Sequence, residues 1–276
     1  MKNVIILGAD GLLASDIIEM IQYDGGASIR SYSKQLCDIT THKNVYFNLI
    51  GETTHVINCA AITDINYCEQ NAEKAYEVNE TAVKNLVEIC LENHIHLTHF
   101  STAEVFDGTK PEPYLENDQV SPLSIYAKSK AAGEGHVLAM GDKGLVIRTN
   151  CLFGKYRDNF VQSTIKKLMN KEIVETTDEI SNATYTLDLA NVALTLALSN
   201  KSGLYHVTNS DICTKTSIAL KLAELMNLDK TLIKEKHIGF RNIALSPFRI
   251  NQTIPEKLRS WEDALYQYLL EIGKVT

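Results

Sequence analysis

The 276-residue sequence has no CxxC pair, no apolar run approaching a membrane span, no internal repeat and no low-complexity tract. Each absence removes a class of protein. Six scattered cysteines (Cys37, Cys59, Cys68, Cys90, Cys151, Cys213) suggest neither a disulfide framework nor a thiolate zinc site, so reduced thiols and a cytoplasmic location are expected. The opening stretch Met1–Leu7 is too short, and too soon interrupted by Gly8 and Asp10, to read as a secretory signal. Positive charge is also scarce. With 27 Lys and Arg against 34 Asp and Glu, the net charge of -7 argues against a nucleic-acid partner or an anionic membrane surface. What remains is an ordinary globular composition, 45% hydrophobic and 22% charged, on a chain long enough for one large domain or two small lobes.

Val4-Ile5-Ile6-Leu7 is a continuous β-branched and apolar run, as expected of a strand buried on both faces of a parallel sheet. Gly8-Ala9-Asp10-Gly11-Leu12-Leu13-Ala14 follows at once, and then the helical pattern Ile17, Ile18, Ile21. Strand, glycine turn and helix are the context that gives a GxxGxxA motif meaning as a dinucleotide site. Gly8 permits the tight turn, Gly11 lets backbone approach a pyrophosphate, and Ala14 lets helix and strand pack closely. Gly8, Asp10, Gly11 and Leu12 are therefore candidate cofactor contacts.

A second strand, Ala27 to Tyr32, ends at Ser33-Lys34, where an NAD-preferring site would place a carboxylate. None is present there. Ser33, Lys34 and Arg30 suit a 2′-phosphate instead, so NADPH is the expected cofactor, with NADH as the alternative; Asp38 and Ile39 follow on the same rim. A short helix carrying Val45, Leu49 and Ile50 is expected next. The strand His55 to Cys59 then runs into Cys59-Ala60-Ala61, small residues that suit backbone lying against a cofactor. From Glu69 to Asn93 the pattern predicts one long amphipathic helix, with Asn79 within it aimed at the sheet.

His94, His96 and His99 do not make a metal site, because His96 and His99 fall on opposite faces of the strand Ile95 to Phe100 and no further ligand completes a shell; no metal is assigned. That strand delivers Ser101-Thr102 to the carboxyl edge of the sheet, where open α/β sheets bind ligands. Ser124 opens a helix on which Tyr126 and Lys130 stand at i and i+4, placing an amine beside a phenol. A neighbouring cation favours the phenolate, so a phenol drawn toward neutrality is expected, with Thr102 holding the reacting oxygen by its hydroxyl.

Leu145 to Thr149 reads as another strand and Asn150 to Asn159 as a loop at the same edge. The β-α alternation up to this point requires a parallel sheet with helices on both faces, a doubly wound α/β fold. Later segments are looser: helices 160–171, 187–198, 216–226 and one from Ser260, with short strands around Ile173-Val174 and at Leu204 to Thr208. They are expected to form a smaller α+β substrate-binding lobe that closes the sheet edge into a cleft. The expected boundaries are 1–155 for the dinucleotide-binding domain, completed by parts of 172–200, with 156–171 and 201–276 in the smaller lobe.

The segments GADGLLA, VINCAAIT, STAEVFDG, PYLEND, SIYAKSKAAGE, IRTNCLFGKYRDNFV and SWEDAL, in this order over nearly the whole chain, resemble the dTDP-4-dehydrorhamnose reductases. These belong to the extended short-chain dehydrogenase/reductase superfamily, which has a Rossmann sheet. The resemblance implies hydride transfer from NADPH to C4 of a nucleotide-linked 4-keto-6-deoxy sugar in polysaccharide or glycoconjugate biosynthesis. Carried onto this chain, it makes Tyr126 the acid, Lys130 the residue that lowers its pKa and holds the nicotinamide ribose, and Thr102 the group that polarises the ketone. Thr63 and Ile65 match positions near the sugar, and a homodimer is compatible with it.

Other positions depart from the family pattern. Ala103-Glu104 stands for the usual Asp-Tyr, Cys151 for a tryptophan, Ser181 and Ala183 for a glycine and a proline, and Ser246-Pro247 for Arg-Pro. With Asn159, Glu104 and Cys151 are candidate sugar contacts. Thr102-Ala103-Glu104 also resembles the T-x-E arrangement of nucleotide-sugar 4,6-dehydratases, in which the glutamate is a base; an extended strand would put Thr102 and Glu104 on one face. Dehydratase or epimerase chemistry is the alternative enzyme reading, and a non-catalytic NADP-binding regulatory subunit the alternative from another class.

Overall fold

The computed structural model describes residues 2–41 and 51–275, the side chain of Asp24 excepted. The helix expected to carry Val45, Leu49 and Ile50 lies outside them. Strand β1 (Lys2–Leu7) is the opening apolar run, with Val4 to Leu7 all buried. Helix α1 (Leu12–Asp24) follows and ends on Gly25, whose φ of 63° puts it in the left-handed region while its N–H closes on the Ile21 carbonyl at 3.0 Å. Strand β2 (Ala27–Tyr32) and strand β3 (His55–Asn58) flank β1, both parallel to it. The chain thus reverses its direction of sheet growth at β1, and the carboxyl edge between β1 and β3 is a topological switch point, where open α/β sheets leave a ligand crevice.

The expected single helix from Glu69 to Asn93 is instead four pieces. Helix α2 (Ile65–Gln70) is capped by the Asp64 carboxylate and stops at Asn71, whose φ/ψ of -134°/56° leaves the helical region and whose side-chain amide bonds back to the Tyr67 carbonyl at 2.9 Å. Helix α3 (Ala72–Tyr76) then passes into a π-helical turn, Glu77–Thr81, before α4 (Ala82–Glu92). Strand β4 (His96–Thr102), buried throughout, lies parallel to β3, and a 3₁₀ turn, Ala103–Val105, follows it immediately. That turn removes the premise of an extended Thr102-Ala103-Glu104.

Helix α5 (Ile125–Leu138) and strand β5 (Gly144–Thr149) come next. Strand β6 (Leu152–Phe153), helix α6 (Phe160–Met169), strand β7 (Val174–Thr177), strand β8 (Thr184–Tyr185), helix α7 (Thr186–Leu198) and strand β9 (Gly203–His206) follow. Helix α8 (Lys215–Leu225), strand β10 (Ile233–Lys236), helix α9 (Phe248–Thr253) and helix α10 (Trp261–Glu271) complete the described elements. The central sheet has six strands in the order β2-β1-β3-β4-β5-β9. It is the parallel sheet of a doubly wound α/β fold, as expected.

Packing divides the chain into two units. The first holds Met1–Phe106, Gln119–Arg148 and Ala190–Tyr205. Its core includes Ile5, Leu7, Val56, Leu97 and Val146 of the strands with Val83, Leu86, Val87 and Cys90 of α4. The second holds Asp107–Asp118, Thr149–Leu189 and His206–Thr276. In it β6 pairs with β8 and β7 with β10. Phe153 stacks on Tyr185 at 5.5 Å between ring centroids while Tyr268 stands edge-on to both, and Ser260 caps α10 by accepting from the Asp263 N–H at 3.0 Å. Among the described helices none is long and apolar enough to cross a membrane.

Candidate active site

Ser124 caps α5 as its sequence suggests, its hydroxyl accepting from the Ala127 N–H at 3.1 Å. One face of the helix then carries Tyr126, Lys130 and Glu134 at intervals of four, all buried. Beside it lies the end of β4. Lys130 Nζ donates to the Phe100 carbonyl at 2.6 Å and sits 3.2 Å from His99 Nε2. The Thr102 hydroxyl hydrogen-bonds the Tyr126 phenol and also accepts from the Glu104 N–H at 3.2 Å. A phenol, an amine and a threonine hydroxyl are therefore gathered at the carboxyl end of a central strand.

The electrostatics differ from expectation. Burial pushes the Tyr126 phenol up to about 12; the Thr102 bond works the other way and the Glu104 carboxylate adds to the rise. Lys130 is turned to Phe100 and His99, and burial draws its amine down to about 8, against the pull of Glu134 and Cys59. Glu134 is itself held in a buried ion pair with Arg148, whose guanidinium lies 5.0 Å over the Phe106 ring. Tyr126 is thus a protonated phenol throughout the neutral range. Such a group is suited to giving a proton to a developing alkoxide.

The glycine turn follows β1, two strands from β4 at the same carboxyl edge of the sheet. Gly8 has φ of 77°, and a Cβ there would stand 2.7 Å from the Ala60 nitrogen, so its own chain already requires glycine where β1 meets the Cys59–Ala60 backbone. Gly8 and Ala9 both donate to the Tyr32 carbonyl at 3.0 Å, which fixes the turn to the end of β2. Helix α1 has Gly11 at its N-cap position, with no side-chain cap and no acidic residue in its first turn. Its orphan N–H groups and the positive end of its dipole fit a pyrophosphate, and Asp10 and Leu12 stand at that opening.

At the end of β2, Ser33 accepts from Leu36 and Cys37 in a single helical turn and Lys34 is exposed. Arg30 donates to the Thr53 hydroxyl at 2.8 Å. The Asp38 carboxylate holds Thr40 through its N–H at 2.9 Å and its hydroxyl at 2.8 Å, with Ile39 buried between them.

Asn79 is held by partners within the protein. Its amide accepts from the Ile62 N–H and donates to the Ile62 carbonyl, both at 2.9 Å, and it donates to Ser129 of α5 at 3.1 Å. It pins the segment that follows Cys59-Ala60-Ala61. Thr63 and Ile65 lie exposed just beyond. Glu104, on the 3₁₀ turn, is close enough to Tyr126 to act on its phenol.

Cys151 and Asn159 belong to the second unit. Cys151 has a positive φ of 36° and a thiol pushed up by burial, and Asn159 caps α6 while its amide holds the Gly154 and Arg157 carbonyls at 2.9 Å. His99 and Asn58 were not legible as part of the site. Their contact joins residues 41 apart in sequence. The period-two face of β4 shared with Thr102's neighbours is the only sequence signal that pointed to it.

A parallel sheet with its switch point at a glycine turn, and a Tyr-x-x-x-Lys helix beside a threonine-ended strand, define the extended short-chain dehydrogenase/reductase class. The family model described as RmlD substrate binding domain matches residues 1–272, and the chain belongs to that family.

The dTDP-4-dehydrorhamnose reductase of Aggregatibacter actinomycetemcomitans is 31% identical over 241 residues, which are 84% of this chain and 82% of that protein. The spore coat polysaccharide biosynthesis protein SpsK of Bacillus subtilis (strain 168) is 29% identical over 279 residues, covering 98% of each. Among solved structures, the dTDP-4-dehydrorhamnose reductase of Bacillus anthracis in complex with NADP matches with a TM-score of 0.90 and 28% identity, over 98% of this chain and 100% of that one.

Proposed function

We propose that the protein is an NADPH-dependent reductase of a nucleotide-linked 4-keto-6-deoxy sugar, serving polysaccharide or glycoconjugate biosynthesis. The observation that carries this reading is the buried Tyr126 phenol hydrogen-bonded to Thr102, on the same helix face as Lys130. Membership in a family whose curated members include dTDP-4-dehydrorhamnose reductases supports it. NADPH supplies the hydride when bound. The orphan N–H groups of α1 hold the pyrophosphate, with Gly8, Asp10, Gly11 and Leu12 lining it, and Ser33 and Lys34 take the 2′-phosphate. Asp38 and Ile39 shape the rim beyond them, while Cys59, Ala60 and Ala61 offer backbone and small side chains along the nicotinamide half.

In the chemical step Thr102 and Tyr126 direct their hydroxyls at the C4 oxygen, where negative charge develops, and Tyr126 gives its proton to the forming alcohol. Lys130 holds the nicotinamide ribose. Asn79 acts at one remove, by fixing the segment around Ile62. Thr63, Ile65 and Glu104, all in the first unit, contact the sugar nucleotide.

The test is a panel of dTDP-, UDP-, GDP- and CDP-linked 4-keto-6-deoxy sugars with NADPH, followed by nicotinamide absorbance and product NMR. One or more should be reduced at C4. NADPH left unconsumed with every member would overturn the reading, and solvent deuterium entering C5 without NADPH consumption would point to dehydratase or epimerase chemistry through Glu104.

A further inference from the structure

The face of α5 that carries Tyr126 and Lys130 continues one turn further to Glu134, and Glu134 meets Arg148 of β5. Lys130, Glu134 and Arg148 are 3%, 4% and 3% exposed. Two cations and one carboxylate are thus withdrawn from water together, which is costly unless the charges compensate one another. Neither the cofactor nor the sugar calls for Glu134 or Arg148.

Arg148 takes both oxygens of Glu134. Its Nε donates to Oε2 at 3.0 Å and its Nη2 to Oε1, a bidentate pair, and its guanidinium lies 5.0 Å over the Phe106 ring. A carboxylate held in this way stays ionised although buried. With both oxygens engaged, Lys130 Nζ is left to donate to the Phe100 carbonyl at 2.6 Å and to sit 3.2 Å from His99 Nε2. Glu134 therefore acts on Lys130 through its field, across one helical turn where burial leaves it weakly screened.

We propose that Glu134 is a positioning residue for Lys130: its carboxylate is the counter-charge that keeps the buried amine an ammonium in the neutral range, and Arg148 holds that carboxylate ionised and occupied, so that Lys130 stays free for a ligand. The consequence for catalysis rests on the reductase reading above, in which Lys130 holds the nicotinamide ribose. The relation between the charges does not.

The other groups around Lys130 supply no negative charge. Burial holds His99 well below the ordinary histidine range, raises the Cys68 thiol, pushes the Cys59 thiol up to about 12 and keeps the Tyr126 phenol protonated. On the elements packed against α5, Glu69 accepts from the Ile125 N–H at 2.7 Å, Glu77 pairs with Lys74, Glu80 pairs with His136, and Glu104 acts on Tyr126. Lys84 and Glu88 lie off the buried face of α4. Burial draws the Lys130 amine down and Glu134 pulls the other way; the balance falls at about 8, so most of it is charged near neutrality.

The test is ¹³C NMR of the full chain labelled at lysine Cε, with Lys130 assigned by the signal lost in Lys130→Met. Wild-type Lys130 should titrate at about 8. Glu134→Gln keeps the shape and removes the charge, so the titration should fall by about one pH unit or more, and Glu134→Asp, which keeps the charge, should hold it closer to wild type. Because Glu134→Gln leaves Arg148 buried without its carboxylate, Glu134→Gln combined with Arg148→Gln is the second variant, and Lys130 should fall in it as well. With a reducible keto sugar, the alkaline limb of kcat against pH should move down together with the Lys130 titration. A wild-type Lys130 titrating below about 7, a titration unmoved in both charge-removing variants, or a kcat loss equal at every pH overturns the proposal. The titration needs no substrate. A protein that shows the fall and reduces no keto sugar keeps this inference and loses the function, and an active reductase without the fall does the reverse.

Discussion

Tyr126, Lys130 and Thr102 were legible in the sequence because helix geometry converts a spacing of four into one face, and because a strand ending in a hydroxyl residue presents it at the sheet edge. Their protonation was not legible. A cation beside a phenol predicts a lowered pKa, yet Lys130 is engaged by Phe100 and His99 while burial raises Tyr126. Which neighbour a lysine chooses depends on strands that meet only in the fold. If Tyr126 is the proposed proton donor, Tyr126→Phe should lower kcat about 10²–10⁴-fold while NADPH affinity, read by fluorescence titration, stays nearly unchanged. Thr102→Val removes the second proposed donor to the same oxygen and should cost about 10²-fold in kcat in steady-state assays. A Thr102→Val enzyme with wild-type kcat would take Thr102 out of the mechanism.

At the scale of elements, strands and the glycine turn followed from apolar runs and punctuation, but the segment between β3 and β4 did not. A π-turn inserts one residue into a 3.6-residue period, and the apolar spacing tolerates it, so the pattern still read as one helix. Strand β10 was missed because Lys234-Glu235-Lys236 is exposed and carries no alternating apolar face.

The π-turn has a partner in α5. A Cβ on Gly133 would stand 2.1 Å from the Asn79 carbonyl, whereas one on Gly135, two residues along the same helix, would meet nothing within 4 Å. Gly133→Ala should therefore destabilise by about 1–3 kcal/mol and loosen the Ile62 segment that Asn79 holds. Gly135→Ala should stabilise by up to about 1 kcal/mol through helix propensity. Chemical denaturation of the two variants checks the contrast, and equal effects would mean that the close approach is not rigid.

For the whole molecule, stability should depend on pH through buried histidines. His55 is held down to about 4 by burial and by Lys2, and burial likewise lowers His96 and His99. Their folded-state pKa values lie below the unfolded value near 6.5, so the unfolded chain binds protons first as pH falls. The contribution is fully present above about 6.5 and is lost progressively as pH descends toward 4. Thermal unfolding should show Tm falling across that window, with a shallower fall in His55→Gln; a flat profile would mean that these rings are not buried as neutral groups. The assignment of Asp107–Asp118 to the second unit and of Ala190–Tyr205 to the first was not legible in the sequence, since contacts far apart in sequence decide it.

The central claim is hydride delivery to a sugar carbon with Tyr126 giving the proton. It is tested most directly by supplying NADPH deuterated at the transferring C4 position together with a nucleotide-linked 4-keto-6-deoxy sugar, and reading the product by NMR. The account predicts one deuterium on sugar C4 per NADPH consumed, with the rate of its appearance falling about 10²–10⁴-fold in Tyr126→Phe. Product without deuterium at C4, or an undiminished rate in Tyr126→Phe, would contradict it.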